Sequence, residues 1–237
     1  MSLPTVDQDY LLEFLVWLLD THSPTGFTEK ATAYVEKALS AFPEVQLTRT
    51  TKGALLAILP GEREDAPRAI SAHTDTLGAM VKEIKPSGRL LLTRIGGIIW
   101  NSVETEGCSV YTADGKMYRG SILFHKASGH VYGSEVVDGK REDATMEMRL
   151  DVRTSNADET RALGIAVGDF VSFDPRVEVN NGFIRSRFLD DKACGDRGDD
   201  AGRCTRYRSQ NGARDGSNNW QGDRTSTTAN NGACDCP

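Results

Sequence analysis

Apolar residues at the start of the chain recur with the period of a helix. Four of them are spaced i, i+3, i+4, i+7 and share one face of a helix over residues 8–20: Leu11, Phe14, Leu15 and Leu18. The segment Ser23-Pro24-Thr25-Gly26 ends this helix, because proline and glycine interrupt it. A second helix is predicted from Thr28, a favourable N-cap residue, to Phe42. Its expected buried face is Ala31, Tyr34, Val35, Ala38 and Leu39.

Short runs of apolar and β-branched residues follow the second helix and are typical of strands. Three strands are predicted before residue 73: Val45–Thr50, Ala54–Leu59 and Arg68–Ala72. The stretch Pro60–Pro67 is polar and bounded by prolines, so we expect an exposed loop there.

From Leu77 to about Pro175 the pattern changes to short strands joined by turn signals. Asp114-Gly115 separates two alternating runs and predicts a hairpin, and Pro86-Ser87-Gly88 predicts a second one. Only Asn156–Leu163 has a helical pattern in this stretch. After the stretch, Asn180-Asn181-Gly182 predicts a further hairpin.

The predicted fold class is therefore α/β with an all-β insert. We expect residues 1–76 to begin an α/β domain, residues 77–175 to form the insert, and residues 176–194 to return to the first domain.

The last part of the chain has a different composition. Residues 195–237 contain no Leu, Ile, Val, Met or Phe, and no Lys or Glu. Because this segment has little apolar surface to bury, it is predicted to be disordered. A shift of reading frame close to Cys194 is our hypothesis for the change, since Arg replaces Lys and Asp replaces Glu throughout it.

Charge and hydropathy exclude several classes of partner. The chain has 28 Lys and Arg against 34 Asp and Glu, a net charge of −6, which predicts no nucleic-acid partner. The apolar run Leu15–Leu19 is far shorter than the ~20 residues of a membrane span, so we expect no membrane partner. No basic segment precedes that run, and a cytoplasmic location is expected.

Two short motifs carry candidate chemistry. In the first, an apolar run ends at His73, and Asp75 follows two residues later. A histidine in this position can bind a metal while the nearby carboxylate orients its ring, although such a histidine is more often structural. The second is Asp190-Asp191-Lys192, in which one carboxylate could bridge two metal ions. Its alternative is a solvated, charged loop.

Together the two motifs resemble those of metallopeptidase family 42, a family of dinuclear-metal aminopeptidases. Further stretches share the resemblance, which covers residues 8–194: Ser23-Pro24-Thr25-Gly26, Leu77-Gly78-Ala79-Met80-Val81, Ile95-Gly96-Gly97, Leu163-Gly164-Ile165 and Gly168–Pro175. It implies a three-layer catalytic domain with a barrel-like insert that mediates dimerisation. It also implies two divalent metal ions, for which Zn²⁺, Co²⁺ and Mn²⁺ all suit histidine and carboxylate ligands.

The resemblance assigns a role to each residue of the two motifs. His73 and Asp190 are expected to be metal ligands, with Asp190 bridging the two ions. Asp75 is expected to act in catalysis by orienting the His73 imidazole, and the Asp190–Asp191 peptide bond is expected to be cis. The implied reaction removes N-terminal residues from short peptides with a metal-activated water. An oligomer formed through the insert is the implied assembly.

The sequence also departs from the family pattern. A Glu-Glu pair, a further Asp and a final His are expected after Asp190-Asp191-Lys192, and none can be placed in residues 195–237. We therefore expect the chain as written to be inactive. The alternatives are a non-catalytic relative that oligomerises or binds peptides, and a deacylase or carboxypeptidase with a similar metal site. Cys108 is expected to be a small buried residue rather than a nucleophile.

Overall fold

The computed structural model describes residues 6–61, 65 and 67–195. Its first two elements are amphipathic helices. Helix α1 (Gln8–Asp20) starts after Asp7, whose side chain accepts a hydrogen bond from the Tyr10 backbone amide at 3.0 Å. The buried face of α1 is Phe14, Leu15, Leu18 and Leu19. The predicted helix over residues 8–20 is confirmed.

Helix α2 (Glu29–Leu39) packs against α1 through Ala31, Tyr34, Val35 and Ala38. It ends at Leu39, so the predicted end at Phe42 is wrong by three residues. Pro43 disfavours helical geometry at the residue before it, and residues 40–41 form a turn instead. Thr28 stands at the N-cap position, but its side chain makes no capping hydrogen bond.

A small antiparallel hairpin follows, formed by β1 (Gln46–Arg49) and β2 (Leu55–Ile58). Arg49 joins it to α2 through ion pairs with Glu29 and Glu36. The predicted strand Arg68–Ala72 is wrong, because its residues form no ladder and are exposed. A strand needs a neighbour for its backbone hydrogen bonds, and β2 pairs only with β1 among the described residues.

Six antiparallel strands close into a barrel in the order β3-β4-β7-β6-β5-β8. Their bounds are β3 (Gly78–Ile84), β4 (Leu90–Ile95), β5 (Gly107–Tyr111), β6 (Met117–Phe124), β7 (Met146–Leu150) and β8 (Phe170–Phe173). Fully buried apolar side chains fill the interior, among them Val81, Leu92, Val110, Ile122, Met148 and Phe173. This barrel, with the helices outside it, confirms the predicted α/β fold with an all-β insert.

The turn signals place the barrel hairpins correctly. Gly88 has φ 80° between β3 and β4, and Gly115 has φ 83° between β5 and β6. Both lie in the left-handed region that favours glycine. The Thr160 hydroxyl donates to the Gly88 carbonyl at 2.9 Å and joins a later helical segment, residues 157–162, to the first of these turns.

Helical structure in the barrel region is more extensive than predicted. Helix α5 (Ala157–Ala162) is the expected one, and Asn156 caps it. The expectation that this is the only helix between Leu77 and Pro175 is wrong. Three more short segments are helical: a 3-10 turn (Trp100–Ser102), α3 (Gly129–Tyr132) and α4 (Glu135–Asp138). Each has three or four residues, which is too short to show a helical period in the sequence.

After the barrel the chain returns across its surface. Strands β9 (Glu178–Asn180) and β10 (Phe183–Arg185) form the hairpin predicted from Asn180-Asn181-Gly182. Phe188 is buried in the barrel core, next to an Arg187–Glu106 ion pair of 2.6 Å. The last element of the described residues is α6 (Leu189–Gly195).

Residues 196–237 lie outside the described residues. The prediction of disorder, which began at residue 195, therefore falls outside them apart from Gly195. Of the helices in the described ranges, none has the length and apolar character to cross a membrane.

Candidate functional site

His73, Asp75 and Asp190 meet at the junction of three chain segments. Nε2 of His73 lies 3.5 Å from Oδ1 of Asp190, and Nδ1 of the same ring lies 3.3 Å from Oδ1 of Asp75. The structure thus brings together the three motif residues that the sequence singled out. All three are accessible: the side chains of His73, Asp75 and Asp190 are 53%, 35% and 97% exposed.

The two nitrogens of His73 have different surroundings. Nδ1 lies 3.1 Å from the backbone carbonyl of Asp75, in addition to its contact with the Asp75 carboxylate. Because both partners are acceptors, Nδ1 carries the proton in the neutral ring. Nε2 then presents its lone pair toward Asp190, as a metal-binding imidazole requires.

Asp75 is itself held in place from the turn between α1 and α2. The Thr25 hydroxyl donates to Oδ2 of Asp75 at 2.6 Å, leaving Oδ1 to face His73. One carboxylate therefore connects Thr25 to the imidazole. Such a hydrogen-bonded carboxylate fixes the orientation of a ligand histidine and raises its basicity.

The backbone of the same turn joins the His73 segment directly. Ser23 is fully buried, and its hydroxyl donates to the Thr74 carbonyl at 2.7 Å. The Thr76 amide donates to the Ser23 carbonyl at 2.8 Å, and the Thr25 amide donates to the Thr76 carbonyl at 3.1 Å. These bonds tie residues 74–76 to residues 23–25 on both sides of Asp75.

Asp190 and Asp191 form the irregular first turn of α6. Their backbone angles are not helical (φ −82°, ψ 114° and φ −116°, ψ 24°), and the peptide bond between them is cis. The Asp190 carboxylate is almost fully exposed on the side of His73. The chain is thus not in regular helix geometry at the residue whose carboxylate faces His73.

Lys192, the next residue, is fully buried and ends against α1. Its Nζ donates to the carbonyl oxygens of Leu18 at 2.8 Å and Thr21 at 2.7 Å. Leu18 lies in the last turn of α1, whose free carbonyls carry the negative end of the helix dipole, and Thr21 is the C-cap residue of the same helix. Burial lowers the pKa of Lys192 to about 8.

The donor atoms fit part of a metal site. Two ligand atoms on one tetrahedral zinc ion, each bonded at about 2.0–2.1 Å, lie about 3.4 Å apart. The 3.5 Å between Nε2 of His73 and Oδ1 of Asp190 suits two ligands of one ion. Within the described ranges no group of three or more His, Cys, Asp or Glu side chains could hold a metal, so these residues supply only part of a ligand set.

Three other reactive side chains of the described residues, those of Cys108, His125 and His130, have surroundings of their own. Cys108 is fully buried in the barrel, as expected, and burial raises the pKa of its thiol. His125 lies 2.9 Å from the Thr145 carbonyl, and His130 is exposed in α3.

Sequence reasoning missed three residues around the site: Ser23, Thr25 and Lys192. In the sequence, Ser23 and Thr25 belong to a helix-breaking segment that shares the family resemblance, and Lys192 ends a motif, but neither pattern assigns a role to these residues. Polar residues in a turn directly after an amphipathic helix were the available signal. The contacts themselves join distant parts of the chain, mostly through backbone atoms, and leave no pattern in the sequence.

Comparison with protein-family models identifies the family of this chain. The family model for M42 glutamyl aminopeptidase matches residues 53–195, which is more than half of the chain. The chain belongs to the M42 glutamyl aminopeptidase family. The matched region includes the barrel and both motifs, so the M42 resemblance seen in the sequence is confirmed.

Individual M42-like proteins match over a similar region. YhfE of Bacillus subtilis (strain 168), which bears an aminopeptidase name, is 49% identical over 183 residues, or 77% of this chain and 52% of its own length. The aminopeptidase APDkam598 from the archaeon Desulfurococcus kamchatkensis has a TM-score of 0.69 at 25% identity, over 79% of this chain and 50% of its own.

A more distant structure shows the same fold. The TET1 peptidase of Pyrococcus horikoshii has a TM-score of 0.61 at 19% identity, over 78% of this chain and 53% of its own. This M42 chain therefore spans about half the length of the relatives it matches.

Proposed function

We propose that this M42 chain is part of a metal-dependent aminopeptidase that removes N-terminal residues from short peptides. The observation that carries the proposal is the approach of His73 Nε2 to Asp190 Oδ1 at 3.5 Å, with Asp75 on the other ring nitrogen. Two ligand-type atoms face each other in an accessible position, and a carboxylate orients one of them. The aminopeptidase name of YhfE supports the same reaction class.

Two divalent ions, Zn²⁺ or Co²⁺ with Mn²⁺ also suitable, are the proposed cofactors. When bound, they would activate a water molecule and polarise the scissile carbonyl. In our proposal His73 and Asp190 would hold these ions, with Asp190 as the shared ligand. Asp75 holds the proton on Nδ1 of His73 and so keeps Nε2 free for the metal.

The described residues provide two of the ligands that such a site needs. Catalytic zinc sites usually have three protein ligands for each ion. We propose that the 237-residue chain binds metal weakly and does not turn over peptides, because the further carboxylates and histidine of the family pattern cannot be placed in it.

Metal binding tests the site without requiring activity. Isothermal titration with Zn²⁺ should detect binding to the chain at micromolar or weaker affinity. The variant His73→Ala should abolish it, whereas His130→Ala, which removes an exposed histidine from α3, should leave it unchanged. Equal binding by the chain and His73→Ala would overturn the assignment of His73.

Activity is tested separately. The chain, incubated with Zn²⁺ or Co²⁺, should release no p-nitroaniline from aminoacyl-p-nitroanilides. If translation of the gene in another frame after the Cys194 codon yields the Glu-Glu pair, that longer product should cleave them only with metal present. Its His73→Ala variant should be inactive. A restored product that never cleaves with any of the three metals would contradict the aminopeptidase proposal.

The second candidate function is a non-catalytic oligomerising module. Zn²⁺ binding separates it from the proposed enzyme, because both candidates would self-associate. The TET1 peptidase of Pyrococcus horikoshii can assemble into a tetrahedron or a large octahedral shell. We propose that the barrel of this chain likewise mediates self-association. The second candidate is favoured by the lack of a three-residue ligand group in the described ranges. An oligomer in sedimentation velocity that binds no Zn²⁺ would support it.

A further inference from the structure

The turn between α1 and α2 contacts both segments that carry the proposed ligands. On one side, Lys192, which follows Asp190 by two residues, donates to the carbonyls of Leu18 and Thr21. From the other side, Ser23 bonds to Thr74, the residue after His73. Residues 18–25, which we call the clamp segment, therefore lie between the two halves of the site.

We infer that Lys192 and Ser23 are positioning residues that, through the clamp segment, set the separation of His73 and Asp190. This inference rests on the proposed metal site and adds to it two residues that would touch neither metal nor substrate. The ligand segments lie far apart along the chain, and Nζ of Lys192 reaches the Leu18 carbonyl across 174 sequence positions.

The contacts of Lys192 support its role in positioning Asp190. The side chain is fully buried, and both of its bonds to the clamp segment end on backbone carbonyls. Backbone acceptors keep their position whatever the side chains around them, so the two bonds fix the backbone of α6 relative to the end of α1. Asp190, two residues earlier in the irregular turn, is then held on the side of His73.

Ser23 acts on the histidine side. Its buried hydroxyl donates to the Thr74 carbonyl at 2.7 Å, and its own carbonyl accepts from Thr76 at 2.8 Å. The peptide units on both sides of Asp75 are thereby bound to the clamp segment. A shift in this segment would move the His73 ring and Asp75 together, away from Asp190.

Two matched pairs of variants test the inference. Lys192→Met is compared with Lys82→Met, the same change at an exposed position of β3. Ser23→Ala is compared with Ser40→Ala, which removes a hydroxyl bond of the same kind, 2.7 Å to the Lys37 carbonyl, at an exposed site. Zn²⁺ affinity should fall about 10- to 100-fold in Lys192→Met and less in Ser23→Ala. It should stay unchanged in both controls.

A second measurement does not depend on metal. The imidazole ¹⁵N signals of His73 in the metal-free chain report the contacts of both ring nitrogens. We expect them to shift in Lys192→Met and in Ser23→Ala, and to stay in place in the two controls. If Lys192→Met does not fold, Ser23→Ala decides alone, because it removes one oxygen and keeps the backbone.

The outcomes separate the two proposals. If the unmodified chain binds no Zn²⁺, the proposed metal site fails, and the His73 signals alone decide whether the clamp segment positions His73. If the chain binds Zn²⁺ and the variants of Lys192 and Ser23 retain both affinity and His73 signals while losing thermal stability, the two residues are only structural. That result would overturn the inference and leave the proposed function intact.

Discussion

A hydrogen bond of 2.7 Å joins the Tyr111 hydroxyl to Nδ1 of His22 and connects the barrel to the turn after α1. In the neutral imidazole with its proton on Nε2, Nδ1 accepts this bond from the hydroxyl. Burial lowers the pKa of His22 below its ordinary value of 6.5, and nearby Arg119 adds to this against the opposing effect of Asp174. His22 is therefore neutral in the folded chain at a pH where it is protonated in the unfolded chain.

This difference predicts acid sensitivity. As the pH falls below about 6.5, the unfolded state takes up a proton on His22 before the folded state does, so stability falls until the folded-state pKa is passed. One proton changes the free energy of unfolding by at most about 1.4 kcal/mol per pH unit. His22→Asn should reduce this slope, whereas the exposed control His130→Asn should not. Urea unfolding at pH 7 and pH 5 measures it, and equal slopes in all three chains would refute the prediction.

Glu147 joins β7 to the two ends of the turn between β3 and β4. Its carboxylate, 3% exposed on β7, accepts from Lys85 at 2.8 Å and also pairs with Arg89. Burial alone would raise its pKa, but the bonds from Lys85 and Arg89 outweigh burial and hold the pKa below the ordinary value. The carboxylate thus contributes stability above about pH 4.5, and this contribution is lost as the pH falls through the folded-state pKa.

Glu147→Gln should therefore destabilise the chain at pH 7. Removing one partner of a buried ion pair costs about 3–5 kcal/mol, and partial exposure of the two cations reduces the expected loss to about 2 kcal/mol. The matched control is Glu83→Gln, at an exposed position of β3, which should change stability by less than about 0.5 kcal/mol. Urea unfolding at pH 7 distinguishes the two, and similar losses in both variants would contradict the role of the pair.

Gly120 allows β6 and β7 to approach closely. A Cβ added at this position would lie 2.4 Å from the Arg149 carbonyl oxygen and 2.8 Å from the Met148 methyl group. Because the first contact is with backbone, the strands must separate, and Gly120→Ala should cost at least about 2 kcal/mol. Gly97→Ala, with open space around the added Cβ, is the control. Thermal unfolding that shows no difference between these variants would exclude the close approach.

The sequence predicts the barrel better than the layer beside it. Hairpin turns depend on local chemistry, and Asp114-Gly115 needs only the left-handed conformation that glycine adopts at φ 83°. The segment Arg68–Ala72 has the composition of a strand, but strand formation also requires a neighbour, which sequence composition does not reveal. Local turns were therefore predictable and the non-local pairing was not.

The same distinction applies to the candidate site. His73 and Asp190 were found because each belongs to a short motif with recognisable chemistry. Lys192 and Ser23 contact backbone carbonyls of distant segments, and any residue can supply such a carbonyl. The hydrogen bonds that the buried Lys192 ammonium donates to Leu18 and Thr21 end on carbonyls and not on carboxylates, which its charge alone would not predict. Its position could be known only once α1 and α6 were seen together.

The Asp75 carboxylate provides the last prediction, because it connects Thr25 to Nδ1 of His73. Asp75→Asn keeps the shape and an acceptor for Thr25 but removes the negative charge that raises the basicity of the ring. We expect Zn²⁺ affinity to fall about 10-fold or more, with little change in thermal stability because the side chain is partly exposed. Asp138→Asn, at an exposed position of α4, is the control and should bind as the unmodified chain does. If Asp75→Asn retains full affinity in isothermal titration, the charge of the Asp75 carboxylate does not contribute to metal binding. The backbone carbonyl of residue 75 is then sufficient to hold the imidazole.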